Sequence, residues 1–119
     1  MKRFGRSFRY ACEGVAYGLR TQRHMRFHLS AAAVAAAVGL IVRIGLLEWA
    51  LLLLTMAGVI AAELINTAIE KAVDLASPAV HPLAKAAKDT AAGAVLVLAV
   101  AAAAVGLIIL GPPLWELIF

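Results

Sequence analysis

Three stretches of this chain are almost free of charge, and they constrain the fold more than anything else in it. Residues 29–47 are interrupted only by Arg43, and residues 49–62 and 90–114 hold no charged side chain at all. At ~1.5 Å per residue the first run makes ~28 Å of helix, close to the ~30 Å hydrocarbon core of a bilayer. The chain of 119 residues is 64% hydrophobic, well above the ~45–50% apolar of soluble domains. The sequence predicts an all-α membrane protein of one domain (1–119), with spans at about 29–47, 49–76 and 83–111.

The flanks set the boundaries. Gly45 and Glu48 mark a tight turn after the first run, and Trp49 is an interface anchor for the second. Ser77-Pro78 stops the second helix, since proline disfavours a helical predecessor. His81-Pro82 restarts the third, with proline in its first turn. Gly111-Pro112-Pro113 is expected to end it, with Trp115 at the second interface. Over residues 3–20, Phe4, Phe8, Ala11, Cys12, Val15 and Leu19 share one helical face, and Arg6, Arg9, Glu13, Tyr17 and Arg20 the opposite one. That pattern reads as an amphipathic helix lying in the membrane interface. Arginines break up the first 28 residues, so no cleavable signal is expected. Cys12 is the only cysteine, which excludes an intrachain disulfide.

Seven basic residues precede the first run, from Lys2 to Arg26, and Lys71, Lys85 and Lys88 cluster between the second and third. Positive residues stay in the cytoplasm. The N-terminus and the 77–88 connection are therefore expected inside the cell membrane, and the C-terminus outside. Three helices scarcely enclose a polar site, so a homo-oligomer is expected. No feature reads as a nucleic-acid site.

Against this background the second helix carries an anomaly. Where its charge-free run ends, Glu63, Asn66, Glu70 and Asp74 follow at spacings of three and four. At ~100° per residue they form one stripe. An ionisable group in a membrane segment costs at least ~2.5–3.5 kcal/mol and marks a functional site by default. The stripe is a ladder from cytosolic water at Asp74 to lipid depth at Glu63. Paired carboxylates hold Mg²⁺ together with phosphate oxygens, lysine holds phosphate, and a buried carboxylate serves as general base. These parts suit phosphoryl transfer to an alcohol dissolved in the membrane. An interhelical ion network and a proton-coupled transporter use the same residue types and remain open on composition. Against the transporter, only Thr55 continues the polar path through residues 49–62. No P-loop, G-x-G-x-x-G or H-E-x-x-H motif is present.

The E-x-x-N-x-x-x-E-x-x-x-D pattern of residues 63–74, followed by His81-Pro82 and Lys88-Asp89, resembles the small integral-membrane lipid kinases of bacteria. These are the prokaryotic diacylglycerol kinases and undecaprenol kinases. The segment from Arg20 to Leu29 and the loop from Ser77 to Leu83 resemble the undecaprenol branch more closely. The resemblance implies a homotrimer with sites shared between subunits, using Mg²⁺ and ATP on a membrane lipid. It implies Glu63 as catalytic base, with Asn66 orienting the lipid hydroxyl. Glu70 matches a metal ligand by the γ-phosphate, and Asp74 continues the polar wall. Arg3, Tyr10, His81, Lys88 and Asp89 match nucleotide-contacting positions. Gln22 stands where the family usually has a second metal-ligating glutamate. His24 and His28, set among arginines, read as headgroup-facing or solvated.

Overall fold

Side-chain patterning alone leaves the helix ends open; the backbone fixes them. The computed structural model describes residues 2–119. Its four helices are α1 (Lys2–Thr21), α2 (Arg23–Val42), α3 (Leu46–Ala76) and α4 (Pro82–Ile118). The last three are each long and apolar enough to cross a membrane. At 31 and 37 residues, α3 and α4 reach ~46 and ~55 Å, longer than a bilayer core requires. In α3 the excess length carries the polar ladder.

One extended residue, Gln22 (φ −112, ψ 115), separates α1 from α2. The Arg26 guanidinium fastens this elbow by donating to the carbonyls of Leu19 and Arg20, both at 3.1 Å. A cation at a helix C-terminus satisfies orphan carbonyls and complements the dipole. Gly18 is the one buried residue of α1. A Cβ there would lie 2.9 Å from Leu64 Cδ2 and 3.4 Å from Met25 Cε, so the missing side chain lets α1 approach α3.

The turn between α2 and α3 is three residues long. Arg43 adopts a left-handed conformation (φ 58, ψ 58), which costs a non-glycine residue roughly 1–2 kcal/mol. Glu48 offsets part of this by accepting from the Gly45 N–H at 3.2 Å. Behind the turn the Trp49 ring lies against Gly39. At the other end of α3, His81 is the N-cap of α4, its Nδ1 accepting from the Leu83 N–H at 3.1 Å.

Contrary to the sequence expectation, Gly111-Pro112-Pro113 does not end α4. The helix runs on to Ile118 with both prolines inside it. Two prolines remove two N–H donors but leave the following turn intact, and the Phe119 N–H still reaches the Trp115 carbonyl at 2.9 Å. Helices built for membranes tolerate such breaks where neighbouring groups re-satisfy the freed carbonyls.

The interior is small. Its buried apolar residues are Leu52 and Val59 of α3, Ala91, Val95 and Ile109 of α4, and Met25 of α2, whose Cε lies beside Gly18 of α1. Leu40, Ile41, Leu54, Val97, Leu107 and Ile108 are exposed. The accessible surface is 8683 Å², whereas a folded soluble monomer of 12.5 kDa has roughly 6,200 Å². The surplus is apolar helix face, which in water would be an aggregation surface and in a bilayer is the normal boundary.

Candidate active site

Burial along the ladder falls rung by rung. Glu63 is 3% exposed and Asn66 8%, Glu70 is half-buried, and the Asp74 side chain is 56% exposed. The gradient follows from α3 rising out of the three-helix contact region as it nears the 77–81 connection. The Asn66 Nδ2 donates to Glu70 Oε1 at 3.4 Å. The Asn66 Oδ1 is buried and has no hydrogen-bond partner among the described residues. Beside it, Thr67 returns its hydroxyl to the Glu63 carbonyl at 2.9 Å.

At the deep end the sequence reading missed a residue. His28 of α2 is not solvated; its Nε2 lies 3.9 Å from Glu63 Oε2, with the two side chains 17% and 4% exposed. Phe27 meets the imidazole edge-on, the ring centroids 5.5 Å apart. A signal was available. A buried carboxylate needs a partner, and antiparallel α2 and α3 bring the start of one apolar run beside the end of the other. His28 stands at that start.

Past Glu63 the same face of α3 continues as Val59, Met56 and Leu52. These residues, with His28, Ala31 and Ala102 among others, line an apolar groove of about 290 Å³ between α2, α3 and α4. Its polar end is His28. On the other side, a groove of about 550 Å³ separates α1 from α3, between Ala11–Gly18 and Leu64–Lys71.

At the shallow end Lys88 of α4 pairs with Asp74 at 2.5 Å. The fold therefore unites Glu63, Asn66, Glu70, Asp74 and Lys88, and adds His28. Among the described residues no hydrogen bond or ion pair joins the remaining expected residues to them. Asp89 pairs with Lys85 on an exposed turn. His81 spends its Nδ1 on the helix cap. Gln22 makes no side-chain cap bond, and no hydrogen bond joins it to Glu70 among the described residues. Arg3 and Tyr10 are exposed on α1, where Arg9 lies 5.4 Å above the Tyr10 ring.

The donors fit a hard divalent cation. The half-buried Glu70 carboxylate is a hard oxygen donor, and Mg²⁺ is held by one or two carboxylates with phosphate and water supplying the rest. Among the described residues no cluster of three or more His, Cys, Asp or Glu could hold a metal by itself.

Comparison with known proteins decides the family. The model of prokaryotic diacylglycerol kinase matches residues 9–110, nearly the whole chain. The chain belongs to the prokaryotic diacylglycerol kinase family. It is a lipid kinase by that membership, and the three apolar helices make it a membrane protein. The undecaprenol kinase of Bacillus subtilis (strain 168) is 45% identical over 96% of this chain and 93% of its own length. A diacylglycerol kinase of Synechocystis is also 45% identical, over 93% of this chain but 64% of its own length. A diacylglycerol kinase of Helicobacter pylori is 53% identical over 43% of this lipid kinase and 40% of its own.

Proposed function

We propose that this lipid kinase transfers the γ-phosphoryl group of ATP, with Mg²⁺, to undecaprenol in the cell membrane. The choice of acceptor is carried by one observation: the likeness to undecaprenol kinase extends over nearly the full length of both chains. Diacylglycerol is the second acceptor, favoured by equal identity to the Synechocystis enzyme.

In this reading the groove between α2, α3 and α4 takes the hydrocarbon chain and delivers its hydroxyl to Glu63. Glu63 accepts the hydroxyl proton, and its burial keeps water from competing. Asn66 orients the hydroxyl through its amide. Glu70 and Gln22 hold Mg²⁺, which when bound neutralises charge on the transferring phosphate. Lys88 exchanges Asp74 for a phosphate oxygen, and Asp89, His81, Arg3 and Tyr10 hold the nucleotide. Among the described residues no hydrogen bond or ion pair joins Arg3, Tyr10 or Gln22 to the ladder, which supports a homotrimer with each site completed by a neighbour. α1 lies in the interface with its basic face toward cytosolic water, so the ATP side is the cytoplasm and the C-terminus is outside.

The test measures ATP consumption in detergent micelles with undecaprenol and diacylglycerol offered separately. Turnover that depends on lipid, prefers undecaprenol and is abolished by Glu63→Gln is the expected result. A preference for diacylglycerol reverses the acceptor. Proton flux in liposomes without lipid-dependent turnover overturns the kinase reading.

A further inference from the structure

We infer that His28 is a positioning residue that sets the Glu63 carboxylate for proton abstraction; this rests on Glu63 being the proton acceptor. A carboxylate buried in apolar surroundings is costly unless paired, and only one side chain is available to pair with this one. The Arg26 guanidinium, two residues before His28, is committed to the carbonyls of Leu19 and Arg20. Lys88 is engaged by Asp74 and Lys85 by Asp89. Lys71 is exposed on α3. The buried α4 residues Ala91 and Val95 are apolar, and α1 faces this part of α3 with Ala11, Gly14, Val15, Tyr17 and Gly18. Among the described residues His28 is the one basic side chain within 4 Å of the Glu63 carboxylate.

The geometry assigns a division of labour between the two carboxylate oxygens. Nε2 of His28 addresses Oε2, which leaves Oε1 for the hydroxyl proton. The 3.9 Å separation is just beyond a direct hydrogen bond, and catalytic contacts commonly tighten once substrate is bound. The ring is oriented by its edge contact with Phe27. His28 also lines the apolar groove, so a hydroxyl arriving along that groove meets Glu63 beside the imidazole. His28 touches the base rather than the reacting atoms, and it acts through Glu63's orientation.

The test compares His28→Gln, His28→Asn and His28→Leu with wild type and Glu63→Gln, measuring kcat and both KM values with undecaprenol and Mg-ATP. A glutamine amide nitrogen reaches the place of Nε2; an asparagine amide stops near Nδ1. The geometry predicts that His28→Gln keeps kcat within about threefold, while His28→Asn and His28→Leu lose about ten- to hundredfold, as misplacement near 1 Å does. ATP KM stays unchanged in all three. Equal kcat in the Gln and Asn variants, or wild-type kcat in His28→Leu, overturns the inference. Should His28→Leu fail to fold by thermal unfolding in detergent, the Gln and Asn pair decides alone. Wild-type turnover by Glu63→Gln instead removes the reading of Glu63 on which this one stands.

Discussion

Asn66→Leu separates what the ladder costs the fold from what it does for the reaction. The side chain is 8% exposed, its Nδ2 makes one long bond of 3.4 Å to Glu70, and its Oδ1 has no partner in the chain. A buried amide oxygen left unpaired costs ~1–3 kcal/mol, and a hydrogen bond of ordinary geometry returns ~0.5–1.5 kcal/mol. The bond to Glu70 is long and its acceptor half-buried, so its return is at the low end. Leucine shares asparagine's branch point and approximate shape, which limits both cavity and overpacking. The balance predicts that Asn66→Leu stabilises the fold by roughly 0.5–2 kcal/mol. The same change removes an oriented amide from the site and lowers kcat about a hundredfold or more. Denaturant titration in mixed micelles reads the first effect, and lipid-dependent ATP turnover the second. A variant less stable than wild type refutes the reasoning, because Oδ1 must then be paired in the assembled protein. A variant that is more stable yet fully active removes Asn66 from the chemistry.

Three further outcomes follow from the geometry. The Lys88–Asp74 pair is 39% and 56% exposed, so solvent screens it and it adds little to the fold; Lys88→Ala should melt near wild type while raising ATP KM about tenfold or more. Gln22→Glu should lower the Mg²⁺ concentration for half-maximal rate, since a carboxylate replaces a neutral oxygen donor, and an unchanged Mg²⁺ titration removes Gln22 from the metal site. Gly39→Ala should destabilise the protein in thermal unfolding and Gly18→Ala should not, although both gain helix propensity of ~1 kcal/mol. The new Cβ at 39 meets the rigid Trp49 ring at 3.0 and 3.1 Å, whereas at 18 it meets the movable ends of Leu64 and Met25.

Properties governed by one helix at a time were legible in the sequence. The stripe at 63, 66, 70 and 74 needs only the helical repeat, and α3 is helical through all four. A turn before Trp49 was legible from Gly45 and from Glu48, whose carboxylate closes it, but it lies at Arg43–Gly45, so the first span ends at Val42 rather than at 47. Properties governed by two helices were not. The sequence offers no measure of which face of α2 meets α3, and so His28 looked solvated. Pro112 and Pro113 misled for a related reason: proline weighs against a helix through a lost donor, yet the cost depends on what surrounds the freed carbonyls.

The burial gradient along α3 explains why one helix can serve two solvents. Glu63 and Glu70 are seven residues apart, two turns and ~10 Å, so they share a face while differing in depth. The deep carboxylate is 3% exposed, and its ion-pair-range neighbour among the described residues is a histidine from another helix. The shallower one is half-buried and accepts from the Asn66 amide at 3.4 Å. A proton acceptor gains from the first environment, since water neither hydrates the carboxylate nor intercepts the phosphoryl group. A metal ligand gains from the second, since a cation arriving with phosphate must exchange its water there. Were the two carboxylates at equal depth, one of these requirements would fail. The three- and four-residue spacing down the ladder therefore does more than align side chains. On the proposed roles of Glu63 and Glu70, it gives each carboxylate the solvent its chemistry needs, and places Asn66 at the boundary between them.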